Sequence, residues 1–419
     1  MPSMPTDARR AQHGSSRDWR VVGAAAATLA VIMGQLVNGF SAFFAPLEAE
    51  FGWDRGAVSM ANTAGLLGLA IGGIVMGRAA DRIGTRAVAA AGIAASALAF
   101  AAAAAVQSLA QLYLALFAAG ALGGGAVFGP VMALIGRRFA KGAGLAIGLV
   151  AAGQAVGQGV VPLVDVLLID SLGWRGALLC YGVATLALLP LTRLFVAPSA
   201  TPAQGSALAP VAGGLPPALV IGAMSIAVLG CCTLMSVPLV HLVPLIEGCG
   251  IPSAQAGSVM VVMMTVAVGG RVAFGRIADR IGALQAWLIA SAWQTLLVFG
   301  FMQLGSFWSF AAFAPVYGFG YAGVMTAVLA SIRALTPAAH RSTATGCVIA
   351  FAWIGHGIGG FAAGALYDLT LDYHLAFGMA ALAGAVNLVV VGALLFAARA
   401  PRTGRGLTPA APVAIPAGT

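Results

Sequence analysis

Charge is what this sequence has least of. Asp, Glu, Lys and Arg make up 8% of its 419 residues, where a soluble domain carries about a quarter. That shortage excludes an ordinary water-soluble globule. Lysine is rarer still: Lys141 is the single one among 21 basic residues. The five cysteines, Cys180, Cys231, Cys232, Cys249 and Cys347, stand at no ligand spacing and mostly within apolar segments. They exclude a disulfide or metal framework and read as small packing residues. A phosphate loop, a nucleophile elbow and a soluble signalling domain are also missing, so neither an enzyme nor a receptor with an attached effector domain is expected. No cofactor and no metal are expected. The formal net charge of +9 is not read as a nucleic-acid footprint, because in a membrane protein the distribution of Lys and Arg outweighs their sum.

What the chain has in abundance is apolar and small residues: 60% are hydrophobic, 57 are glycine, and mean hydropathy is +0.98. Apolar runs recur from Val21 to Ala398, each near the roughly 20 residues that cross a bilayer as a helix. Charges and turn residues divide them into twelve spans. In the first half these lie near 21–47, 56–77, 87–106, 110–136, 143–169 and 175–197. In the second half they lie near 217–246, 255–275, 284–304, 307–333, 342–367 and 374–398. The glycine-rich stretches "GALGGGAVFG" and "AAGQAVGQGV" suit membrane helices whose backbones approach closely. The N-terminus is polar and carries no small-residue cleavage site after the first apolar stretch, so no cleaved signal peptide is expected.

Every Lys and Arg except Arg55, Arg175 and Arg271 falls on one side of such a topology. The positive-inside bias then places both termini in the cytoplasm. The expected organisation is a cytoplasmic tail 1–20, a six-helix bundle 21–197, a linker 198–216, a second bundle 217–398 and a cytoplasmic tail 399–419. The linker is rich in Pro, Ala, Gly and Ser.

The two halves repeat. "GRAADRIG" begins at Gly77 and "GRIADRIG" at Gly275, an offset of 198 residues. The same offset relates Gly52 to Gly250, Gly148 to Gly346, Gly157 to Gly355 and Gly159 to Gly357. Duplication of a six-helix unit is an arrangement typical of secondary transporters. The motif Gly77–Arg86 resembles the loop signature between the second and third helices of the major facilitator superfamily, and its second copy has the matching place after the eighth. The resemblance implies an all-α membrane fold of twelve helices in two pseudo-symmetric six-helix bundles. It implies gating roles for Asp81, Arg82, Asp279 and Arg280, the aspartates accepting hydrogen bonds from helix N-termini and nearby arginines.

A narrower likeness covers more of the chain. "NGFSAFFAPLEAEFGWDRGAVS", "GPVMALIGRRFAKGAGLAIGLVAAGQAVG" and "HRSTATGCVIAFAWIGHGIGGFAAGALYD" resemble segments of monocarboxylate transporters and the related oxalate/formate antiporter. In that family an arginine four residues before the closing glycine of helix eight pairs with the substrate carboxylate, and Arg271 stands four before Gly275. A guanidinium presents a planar donor fork suited to carboxylate. The competing reading is that Arg271 snorkels to the interface. Three departures stand out: Asn38 and Ala267 replace the family's helix-one lysine and helix-eight aspartate, and Ala352 replaces a second basic residue of the antiporter. One lone cation suits a monoanion better than a dianion.

Further candidates for the substrate site are Asn38, Tyr317, Tyr321, His356 and Gln158, the last standing opposite His356 in the repeat. His356 titrates near neutral pH and is the candidate for carrying a proton, with Arg271 nearby coupling it to a bound anion; a neutral histidine bonded within the bundle is the other reading. His241 reads as lying towards the outer face, and Trp353 and Phe128 as packing. Asp165 and Asp170 read as lying near the outer end of helix five, leaving no carboxylate at mid-span. The expected function is secondary transport of a small organic anion, a monocarboxylate, across the cell (inner) membrane by alternating access, with protons as a candidate co-substrate and membrane lipids as surroundings. A drug or cation/proton antiporter and a non-transporting receptor are the alternatives.

Overall fold

A computed structural model describes residues 16–139, 143–196, 216–336 and 341–399. Lys141, nearly all of the linker 198–216 and most of both tails lie outside the described residues. Among those described, every regular element is helical. The spans are α1 (Ser16–Phe51), α2 (Arg55–Ile83), α3 (Thr85–Ala104) and α4 (Leu109–Arg138). The next apolar stretch, Ala146–Leu194, has 49 residues, too many for one crossing. At Gly173 its backbone turns to φ 70°, ψ 167°, which splits it into α5 (143–172) and α6 (174–194). The second half supplies α7 (Pro217–Gly248), α8 (Ser253–Ile281), α9 (Ala283–Gln303), α10 (Phe307–Leu335), α11 (Arg341–Thr370) and α12 (His374–Arg399). Eleven apolar stretches therefore make twelve crossings, and the expected all-α fold is the one observed.

Each half packs its own core. One cluster joins buried side chains between Val220 and Leu394. The other joins those between Val21 and Phe195 and draws in Val240 and Trp353 from the second half. Outward-facing Leu98, Leu114, Val183, Leu296 and Phe396 are exposed, the inverse of a soluble surface and the natural face for lipid. Between the halves, α2 lies along α11 and α5 along α8. The 198-residue offset carries α2 onto α8 and α5 onto α11, so the two contacts are one contact made twice about a pseudo-twofold axis. Small residues allow it. A Cβ on Gly159 would meet Met264, and one on its repeat mate Gly357 would meet Thr63.

Two local features differ from expectation. The repeated motif is helix rather than loop: α2 and α8 run on to Ile83 and Ile281, and the turn is confined to Gly84 (φ 89°) and Gly282 (φ 102°). Nothing in Arg-Ala-Ala-Asp-Arg-Ile stops a helix, whereas a φ near 90–100° with ψ near 150° is open to little but glycine. The first span is irregular at its middle. It passes through a π-helical turn, Gly34–Asn38, into a 3₁₀ turn, Gly39–Phe43, where it crowds α5: a Cβ on Gly34 would lie 2.6 Å from Val161.

Candidate functional site

Arg271 projects from α8 into the contact with α5. Its Nη1 donates to the Ala151 carbonyl at 2.5 Å, and its Nε is buried without a partner. Among the described residues no carboxylate pairs with it. A guanidinium carries five N–H donors, so most of this one's donor capacity is free while its charge sits between the bundles. The side chain thus reaches sideways to the other half and not along its helix to the membrane surface. Ala151 and Gln158 are seven residues apart, two turns along one face of α5. Gln158 is buried and its Oε1 is unpartnered. It lies between Gly157, which touches Ala30 of α1, and Gly159, which touches Met264 of α8.

The remaining candidates divide. Tyr321 is within electrostatic reach of Arg271 and stacks on Tyr317 at 6.3 Å between ring centroids. Tyr317 itself turns into the core of the second half, edge-on to Phe301 at 5.1 Å, with its hydroxyl unpartnered. Asn38 ends the π-helical turn of α1; it is wholly buried and neither amide atom has a partner. His356 lies on α11 beside Trp353, which meets Phe128 of α4 across the bundle interface. Its Nδ1 is unpartnered. Among the described residues, no hydrogen bond joins His356 to Arg271. Asp81, Arg82, Asp279 and Arg280 are exposed at the end of the molecule that carries the two motifs. Their side chains make no hydrogen bond to another described residue.

Two clusters escaped the sequence. At the end opposite the motifs, Asp368 of α11 accepts the backbone N–H groups of Arg55 and Gly56 at 2.9 and 2.5 Å. It caps the N-terminus of α2, where Asp54 makes no side-chain cap; a carboxylate suits that end of a helix. Arg55 grips Glu48 with two bonds of 2.7 and 2.8 Å, reaches the Tyr373 hydroxyl at 3.1 Å and lies 4.2 Å over the Tyr367 ring. His241 joins in, wholly buried, with Nδ1 3.1 Å from Tyr373 Oη and Nε2 2.8 Å from the Gly360 carbonyl. This knot ties α1 and α2 to α7 and α11. The Leu-Tyr-Asp ending of α11 was the available signal, but a bond spanning 313 residues has no periodicity to betray it.

The second cluster is Asp165. It is fully buried and some two turns inside the end of α5, not at its mouth, and its Oδ2 accepts a hydrogen bond from Tyr181 of α6 at 2.6 Å.

Comparison with known proteins bears on the family and the fold. The sequence model of the Major Facilitator Superfamily matches residues 24–317. "Monocarboxylate transporter 12" of Xenopus laevis is 27% identical over 305 residues, covering 64% of this chain and 65% of that protein. "Monocarboxylate transporter 13" of Rattus norvegicus is 26% identical over 385 residues, 90% of this chain and 88% of its own. The chain thus spans about two thirds of the first relative and most of the second. Among solved structures, the nucleoside transporter NupG superposes with a TM-score of 0.70 at 12% identity, over 91% of this chain and 100% of that one; this likeness speaks for the fold.

Proposed function

This chain belongs to the major facilitator superfamily, and we propose that it is a secondary transporter of a small organic monoanion, a monocarboxylate, with protons moving alongside. One observation carries the reading: a half-buried guanidinium between the bundles, its Nε enclosed and unpartnered, whose single bond among the described residues is to a backbone carbonyl. An arriving carboxylate would replace that carbonyl with a bidentate, charge-assisted pair. Because the carbonyl belongs to α5 and the guanidinium to α8, binding would exchange an inter-bundle bond for a bond to substrate. That is the differential contact alternating access requires. Gln158, Tyr321 and Asn38 are assigned as neutral hydrogen-bonding groups around the anion, and His356 as a neighbour of the path. Asn38 and Ala352, standing where the resembled families carry further basic residues, favour a monoanion over a dianion. The positive-inside bias orients the Asp368 knot outwards, so it serves as the outer gate and the Gly84 and Gly282 turns lie at the cytoplasmic end.

One observation favours a second reading. The buried carboxyl of Asp165 is a feature a cation/proton antiporter would use. Uptake into proteoliposomes separates the two. A panel of labelled mono- and dicarboxylates and a lipophilic organic cation is offered with and without an imposed pH gradient. Saturable uptake of monocarboxylates alone supports the anion reading; uptake of the cation in their place contradicts it.

A further inference from the structure

Helix α5 carries a buried polar stripe that ends against α1. Gln154, Gln158 and Asp165 are spaced by four and seven residues, so they fall within about 40° of one another on the helix, and all three are buried. Asp165 is the acid of the stripe. Its Oδ2 accepts the Tyr181 hydroxyl at 2.6 Å, and its Oδ1 has no partner. Tyr181 of α6 is the titratable group that faces it. From the other packed elements come Gly39 and Gln35 of α1 and Phe100 of α3, none of them charged. Among the described residues no cation stands within bonding reach of the carboxyl.

The pair is built into the irregular part of α1. Gly39 opens the 3₁₀ turn, and a Cβ there would lie 2.8 Å from Asp165 Oδ2 and closer still to the Tyr181 hydroxyl. Gln35, in the π-helical turn, donates to the Tyr181 carbonyl at 3.3 Å and accepts from Thr185 at 3.0 Å. Beside them a small cavity is lined by Gln35, Phe40, Asn62 and Tyr181, with room for about one water. Asn62 Oδ1 is buried and unpartnered, which makes the site polar enough for that water.

We propose that Asp165 is a proton-binding site of the transport cycle. This rests on the reading of the chain as a transporter. The carboxylate takes one proton from water and later returns it to water, with no other bond made or broken. An ionised Asp165 in this packing would have one donor and no counter-charge, which is costly in an apolar interior. Charge on Asp165 is therefore linked to the seating of α1 against α5, and α5 also supplies the carbonyl that holds Arg271. Protonation at Asp165 and anion binding at Arg271 act on the same helix from opposite ends, so each shifts the other through its position.

The test has two independent readouts on the purified full chain. Infrared difference spectra recorded across a pH titration in lipid nanodiscs should contain a protonated-carboxyl band that disappears in Asp165→Asn and shifts in Tyr181→Phe. In proteoliposomes, Asp165→Asn should lose pH-gradient-driven accumulation by roughly tenfold or more, within the usual range of site-to-site coupling. Its substrate counterflow, which needs no net proton movement, should be retained. A band unchanged in Asp165→Asn, or accumulation with undiminished pH dependence, overturns the proposal. Should Asp165→Asn fail to fold, the Tyr181→Phe spectrum decides: an unshifted band means that the titrating carboxyl is not the one bonded to Tyr181. If the parent carries no carboxylate at all, the transport reading falls, and the infrared titration still decides whether Asp165 binds a proton.

Discussion

The two halves of this molecule agree in backbone and disagree in chemistry. Each positive-φ residue among those described has a partner at the 198-residue offset: Gly52 with Gly250, Gly84 with Gly282, Gly173 with Leu371. The first two pairs keep glycine, and the third keeps a positive φ with leucine in the second half. Outside the repeated motif, three ionisable groups within the bundles behave oppositely. Arg271 falls opposite Gly73, Asp165 opposite Ala363, and His356 opposite Gln158. Turn geometry is held in common because both bundles need the same corners. On the proposed reading, the symmetric positions build the frame and the asymmetric ones carry the anion and proton sites.

The sharpest way to break this comparison is to remove an asymmetric residue and its mate in turn. Arg271→Ala should cost substrate handling about 3 kcal/mol or more, on the order of a hundredfold. Gly73→Ala should leave it unchanged, since a Cβ there meets nothing within 4 Å. Radiolabelled uptake in proteoliposomes with matched protein content reads both. Equal losses would mean that Arg271 acts through packing. The symmetric positions come next. Gly84→Ala adds a Cβ into open space, so its cost is backbone strain alone, about 2 kcal/mol. Gly282→Ala should cost little more, because the atom its Cβ meets at 2.7 Å is the movable end of the Gln285 side chain. Thermal melting in detergent orders the two.

Smaller again is the turn that lost its glycine. Leu371 sits at φ 57° and is largely exposed, so Leu371→Gly relieves strain and surrenders no packing. A gain of about 0.5 to 1 kcal/mol is expected. A lower melting temperature in Leu371→Gly would show that the side chain has a contact worth keeping. The smallest effect belongs to His356→Gln, which installs the residue its repeat mate already carries. Accumulation driven by a pH gradient should fall by less than about twofold, because no hydrogen bond among the described residues joins His356 to Arg271. A large loss would return His356 to the proton path.

Much of the frame was legible in the chain before any coordinates, for physical reasons. A span of apolar residues must be a helix in lipid, and an eight-residue charged match at one offset marks a duplication. The helical ending of α2 through Arg78–Ile83 was obscured because charge was read as loop, although those residues are good helix formers. Arg271 was legible because a guanidinium among Val, Gly and Ala has few reasons to be there. Asp165 was not. Its distance from Asp170 along the chain is short, and only the packing of Tyr181 and Gly39 around it reveals that one is enclosed while the other is not. The Asp368 knot was hidden for a different reason: its partners come from four helices and both halves, and no local pattern records which helix ends meet.

The central claim is that Arg271 is the anion's counter-charge. Calorimetric titration of a monocarboxylate, one shown to be taken up by the parent, into the purified protein and its Arg271→Lys and Arg271→Ala variants tests it most directly. The account predicts saturable binding to the parent, binding weakened by about tenfold with lysine, which keeps the charge and loses the fork, and no measurable binding with alanine. An Arg271→Ala protein that binds the monocarboxylate with the parent's affinity would contradict it.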